Sequence, residues 1–159
     1  MALDNLRTLY QQVILEHYNK SRHLGMTDLV HRHQRGHHPS CGNTIELTVQ
    51  LEALEERIAD VQLEGEGCAI AMVSTDFMAD AIPGKTIPEA LQIVQAFQNM
   101  MKGEGDFPRE HRQLNVMQGV TQLPVRIKCA TLTWHTLKPA LEHQSVESAD
   151  EFVSNEEDD

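Results

Sequence analysis

At 159 residues the chain is long enough for one domain with an ordinary hydrophobic core, so it has no need of disulfide staples. Its balance of 40% hydrophobic and 23% charged residues is that of a soluble globular protein, and no apolar run approaches the roughly 18 residues of a membrane span. The net charge of −11 is unevenly placed: residues 142–159 hold eight acids and no Lys or Arg, leaving 16 acids against 13 bases elsewhere. That distribution argues against nucleic-acid binding. It divides the chain into a folded body, residues 1–142, and an acidic tail, 143–159, expected to be disordered. The first twenty residues include Asp4, Arg7 and Glu16 and do not read as a secretory signal, so a cytoplasmic location is expected.

The spacing predicts an amphipathic helix over 3–18, from Leu3, Leu6, Val13 and Ile14. Residues 19–43 have no period and hold five of the nine histidines; they read as a long loop ending in a tight turn at Pro39-Ser40-Cys41-Gly42-Asn43. Strict alternation from Thr44 to Leu51 predicts a strand with one buried face. A second strand follows near 57–64, with Ala59, Val61 and Leu63 inward, and makes an antiparallel hairpin with the first. A third short strand could lie on either side of Cys68, where the pattern does not place it. Gly65-Glu66-Gly67-Cys68 then opens a helix whose inner face is Ile70, Val73, Phe77 and Ala81. Thr86 and Glu89 form a capping-box pattern at the head of the next helix, which turns Leu91, Val94, Phe97 and Met101 inward. Residues 103–119 are polar and Gly-rich, with one short helix around 111–118. Pro124 suits a helix start, Ile127, Ala130, Trp134, Leu137 and Leu141 follow at helical spacing, and Pro139 should kink or stop that helix. Strands and helices segregated in this way indicate an α+β fold, a small antiparallel sheet packed against helices.

Three cysteines in a chain of this kind make a disulfide framework a poor explanation. Each sits where a thiol is useful. Cys41 is in a turn, next to a glycine that permits close approach. Cys68 precedes a helix, whose free N–H groups favour a thiolate. Cys129 follows Arg126 by one turn and adjoins Lys128, and nearby positive charge lowers a thiol pKa. Thiolates are the ligands that zinc and iron–sulfur clusters prefer. No C-x-x-C occurs, so a shared site needs the fold to gather a loop, a strand end and a helix. The fourth ligand is open among the Asn43 amide oxygen, His37, His38 and a residue of a partner protein.

Pro39-Ser40-Cys41-Gly42-Asn43, then Glu64-Gly65-Glu66-Gly67-Cys68-Ala69-Ile70, then Leu123-Pro124-Val125-Arg126-Ile127-Lys128-Cys129 resemble the SufU proteins of the IscU/NifU-N-terminal superfamily. Ile14-Leu15-Glu16-His17-Tyr18 and the Trp134 region also fit, so the resemblance runs from about residue 6 to residue 142. The 60 residues between Cys68 and Cys129, including a stretch over 103–118 that looks like the SufU insertion, favour SufU over housekeeping IscU. Lys128 does too, standing where IscU scaffolds carry a histidine.

The resemblance implies zinc held by Cys41, Cys68, Cys129 and an aspartate two residues after the first cysteine. It implies a sulfur carrier rather than a stand-alone enzyme: Cys41 would accept persulfide sulfur from a SufS-like cysteine desulfurase and pass it towards the downstream SUF assembly proteins. Cys68 and Cys129 would anchor the metal, and Arg126 would lie beside the site. Asn43 replaces the expected aspartate, and a neutral amide is the poorer zinc ligand. Two other functions stay open on the same residues. One is a scaffold that assembles and transfers a [2Fe–2S] cluster. The other is a relative whose metal chemistry is lost and whose partner binding survives.

Overall fold

The computed structural model describes residues 25–38, 43–52, 57–107, 109–142 and 152–154. The amphipathic helix expected over 3–18 lies outside them. The architecture is the expected α+β one. Three antiparallel strands, β1 (Arg32–His38), β2 (Asn43–Leu51) and β3 (Ile58–Glu66), pack against α1 (Ala69–Ala81), α2 (Ile87–Met101) and α3 (Pro124–Glu142).

The alternation read from β2 is real: Ile45, Leu47, Val49 and Leu51 are all buried against the helices. From β3 they are joined by Ile58, Val61 and Leu63. Ala59, expected to point inward, is exposed instead. The cause is a register irregularity at Gln50/Leu51, where Leu51 pairs with Ile58 while Gln50 pairs with Asp60. The extra residue shifts the phase of the strand.

β1 occupies what the sequence presents as loop. It pairs with β2 along its whole length, from Arg32↔Val49 to His38↔Asn43. That register turns Arg32, Gln34 and Gly36 towards the helices, and all three are buried. Without an apolar residue at any of these positions, the strand leaves no hydrophobic period to detect. Gly36 is required by the packing: a Cβ there would fall 2.0 Å from Thr136 Oγ1 of α3. The third strand therefore lies before the hairpin, not beside Cys68. A fourth strand, β4 (Phe152–Ser154), pairs parallel with Arg35–His37 and gives the order β3-β2-β1-β4. These three residues belong to the tail expected to be disordered, and they are paired.

The helices follow the predicted faces. Ile70, Val73, Phe77, Met78 and Ala81 of α1 are buried. At the head of α2 the Glu89 N–H donates to Thr86 Oγ1 (3.2 Å) and the Thr86 N–H donates to Glu89 Oε1 (3.0 Å), a complete capping box. The region read as mostly irregular is a 3₁₀ segment, Arg109–Gln122, that buries Leu114, Met117 and Val120. α3 does not stop at Pro139 but continues to Glu142. The proline falls in the closing turn of the helix, and Ala140 and Leu141 beyond it are buried, so core contact holds the chain helical there. Trp134 stacks on Phe97 of α2 with ring centroids 4.4 Å apart. α3 thus reaches α1, α2 and β1, and it is the element that joins sheet to helices.

Candidate functional site

Cys68 is the N-cap residue of α1, two residues beyond the end of β3. Near the end of β3, Gly65 has a φ of 153° that suits glycine, and a Cβ there would fall 2.0 Å from the Thr44 carbonyl oxygen. Cys129 lies in the second turn of α3 and is fully buried, while Cys68 is half-buried. The two sulfurs meet. The Cys129 thiol donates to the Cys68 sulfur, the largest of the influences that bring the Cys68 pKa down to about 5. Burial opposes the shift, but the N–H groups of Ala71 and Ile70 at the start of α1 favour the thiolate, and so does the Arg126 guanidinium. The Cys68 side chain makes no capping hydrogen bond of its own, so these N–H groups act as a positive end of the helix rather than as a closed cap. Arg126, expected to lie beside the site, acts on Cys68.

Cys41 and the rest of residues 39–42 lie outside the described residues. The strands on either side fix where that connection joins the sheet. It leaves from His38 and enters at Asn43, which pair with one another, and the next residue of β2, Thr44, pairs with Glu66. The Cys41-bearing connection and the Cys68-bearing connection therefore join the sheet at the same end. Asn43 is placed as the first residue of β2.

Of the two histidines considered as further ligands, His37 is engaged in the sheet, and the side chain of His38 lies outside those described; two neighbouring histidines are engaged as well. His37 Nδ1 is 3.0 Å from Thr44 Oγ1, and His33 Nε2 is 2.5 Å from Glu46 Oε1. The Leu51 N–H donates to His31 Nδ1 (2.9 Å). Among the described residues no three His, Cys, Asp or Glu side chains gather as a metal cage. What they do provide is a pair of sulfur donors in contact, one of them a thiolate at neutral pH. That chemistry fits a thiophilic metal such as zinc. A cavity of ≈520 Å³, lined by Arg35, Thr44, Glu46, Glu64 and Glu66 among others, opens on the polar side of the sheet, and neither described cysteine lines it.

One buried residue at this site carries no sequence signal. Ser74, on the inner face of α1, donates to the Ala130 carbonyl (2.6 Å), next to Cys129. It also accepts from Trp134 Nε1 (2.9 Å). A serine inside an apolar helix face reads as filler until the partner helix is in view.

Comparison with known proteins agrees with this geometry. The family model described as the NifU-like N terminal domain matches residues 9–148. The chain is 41% identical to the zinc-dependent sulfurtransferase SufU of Bacillus subtilis over 136 residues, 84% of this chain and 90% of that protein. It is 37% identical to the iron–sulfur cluster assembly scaffold protein IscU of Streptococcus pyogenes over 146 residues, 91% of this chain and 90% of the relative. A solved structure from Fervidobacterium islandicum, described as an iron–sulfur cluster assembly scaffold protein for the SUF system, superimposes with a TM-score of 0.77 at 32% identity. The match covers 85% of this chain and 98% of that one.

Proposed function

The chain belongs to the NifU-like N-terminal domain family, in its SufU/IscU branch, and on that premise we propose that it is an iron–sulfur cluster assembly protein that carries sulfur. In this reading Cys41 takes persulfide sulfur from a SufS-like cysteine desulfurase and hands it to downstream SUF assembly proteins, in the cytoplasm. The observation that carries it is the Cys68–Cys129 sulfur contact, with Cys68 held as a thiolate, at the sheet end where the Cys41 connection joins. Cys41, Cys68 and Cys129 would hold zinc, with Asn43 as a weak fourth ligand. Zinc, when bound, keeps coordinated cysteines deprotonated and shielded from oxidation.

The transfer itself needs only sulfur chemistry. The Cys41 thiolate attacks the terminal sulfur of the desulfurase persulfide. The S–S bond of that persulfide breaks, the desulfurase cysteine leaves as a thiolate, and Cys41 becomes the persulfide. Nothing is oxidised or reduced overall. Arg126, exposed at the start of α3, supplies positive charge where thiolates gather. The test is Cys41→Ser: with a desulfurase and cysteine, the native chain should gain one sulfur at Cys41 by mass spectrometry, and the variant none. Unchanged persulfide loading and unchanged desulfurase stimulation in the variant would sink the reading.

A second reading, a [2Fe–2S] scaffold, is favoured by the identity with the Streptococcus IscU. Anaerobic reconstitution with iron and sulfide, followed by transfer to an apo-acceptor, separates the two. Metal analysis of the native chain beside Asn43→Asp measures what the missing acid costs: the variant should hold zinc more tightly.

A further inference from the structure

Side-chain contacts link α1 to α3 at several points along their length. Cys68 meets Cys129 at the head of α1, Ser74 meets Ala130 and Trp134, and Met78 Sδ receives the Thr133 hydroxyl at 3.6 Å. The first brings the sulfurs together, and the last is a long contact to a weak acceptor. Only the middle one combines short, well-defined hydrogen bonds with complete burial: Ser74 is 0% exposed and so is Trp134. Apolar packing between two helices leaves sliding and rotation loosely specified, because ridge-and-groove fits recur along a helix. A buried hydroxyl bonded to one particular carbonyl does not recur. Shifting α3 along α1 would leave Ser74, the Ala130 carbonyl and the Trp134 N–H to find new partners in a site closed to water.

We propose that Ser74 is the positioning residue of the cysteine pair: its hydrogen bond to the Ala130 carbonyl sets α3 along α1 so that Cys129 meets Cys68. Ala130 is the residue next to Cys129, so the bond is made within one residue of the group it places. Trp134 has a different part. Its N–H reaches the Ser74 oxygen from the end of a long side chain and its ring packs on Phe97, so it adds stability and constrains the axial position of Cys129 less than the direct bond to the Ala130 backbone does. The roles of the two residues are therefore separable. Losing the tryptophan N–H weakens the fold but leaves the Ser74–Ala130 bond, whereas losing the serine hydroxyl removes the register.

The measurement is the effective concentration of the Cys68–Cys129 pair, read without metal. In a metal-free Cys41→Ser chain at fixed pH, the two thiols are equilibrated with glutathione. Oxidised glutathione is reduced to two molecules of glutathione as the two cysteines form one disulfide. The ratio of forms gives the effective concentration, which falls steeply when reacting atoms are misplaced. Ser74→Ala should lower it by about tenfold or more, and Trp134→Phe should leave it within about twofold, although both lower the melting temperature. Ser74→Thr keeps the hydroxyl while crowding the core, and should lose stability yet hold the effective concentration near the parent value. Absence of the disulfide in the parent overturns the proposal, as do equal values in Ser74→Ala and the parent, or parallel losses in Ser74→Ala and Trp134→Phe. Neither Cys41 nor bound zinc enters the measurement, so failure of the sulfur-transfer reading and failure of this one are told apart.

Discussion

The helices that carry Cys68 and Cys129 and the strand that leads to Cys41 are held in place by different forces. α1 and α3 bury Val73, Phe77, Met78, Leu132, Trp134 and Leu137, so hydrophobic burial and close packing fix them. Among its described side chains, β1 turns Arg32, Gln34 and Gly36 inward. Arg32 reaches the His31 carbonyl through one nitrogen (3.1 Å) while its buried Nε has no partner. Gln34 bonds the adjacent Arg35 carbonyl at 3.3 Å. This strand is kept by its ladder to β2 and by the fit of Gly36 under Thr136. The two described sulfurs thus stand on packed apolar elements. The approach to the third cysteine stands on shape and backbone hydrogen bonds, the kind of element that opens at lower free energy.

The sharpest contrast comes from the helical side. Trp134→Ala should cost about 3–5 kcal/mol in denaturant unfolding, since it removes the ring on Phe97 and the donor to Ser74 together. A loss under about 1 kcal/mol would show that the helical wall is not the stable half. On the strand side, Gly36→Ala should cost about 1–3 kcal/mol by overpacking. Adding Thr136→Ala to it should recover part of the loss, because the Thr136 hydroxyl is the atom in the way. Additive losses in that double-mutant cycle would remove the steric account. Arg32→Met should change stability by only about 1 kcal/mol or less in either direction, since it removes a buried nitrogen that already lacks a partner. A large loss there would mean that the guanidinium supports β1 after all.

The last contrast concerns a proton. The Cys68 pKa, about 5 against an ordinary 9.0, is depressed by folding, so the folded state favours the thiolate. The resulting stabilisation is complete above the ordinary value and is lost as the pH falls through about 5. In the metal-free protein, ultraviolet thiolate absorbance should titrate near that lower value. Cys129→Ala, which removes the largest cause, should move the midpoint upward. An unmoved midpoint would transfer the credit to the N–H groups of Ala71 and Ile70 and to Arg126.

The same contrast explains what the sequence reveals. β2 is legible because Ile45, Leu47 and Val49 alternate with polar residues, and α2 is legible because Thr86 and Glu89 announce its start. Part of the cysteine neighbourhoods is legible too: the helix start after Cys68 acts on that sulfur, and Arg126, read as a neighbour of Cys129, acts on Cys68. β1 is hidden because its inward positions are an arginine, a glutamine and a glycine, so its strand character comes from pairing alone. The inward phase of β3 is lost at the irregularity beside Leu51. Pro139 misleads because the disruption it causes falls in a closing turn held by Ala140 and Leu141. The tail strand is invisible because acidity describes residues 143–159 as a whole and says nothing about three of them.

That short strand bears on how the protein behaves in a crowd. A sheet rim with free amide and carbonyl groups is a template on which other chains can add, and repeated addition at both rims builds filaments. Here β4 covers the C-terminal half of β1, and on the far rim the Gly25 N–H takes up the Leu63 carbonyl at 2.9 Å. Among the described residues, one rim is covered over half its length and the other is interrupted at Leu63. A neighbouring molecule meets less open ladder to extend there, which favours a protein that stays dispersed at high concentration.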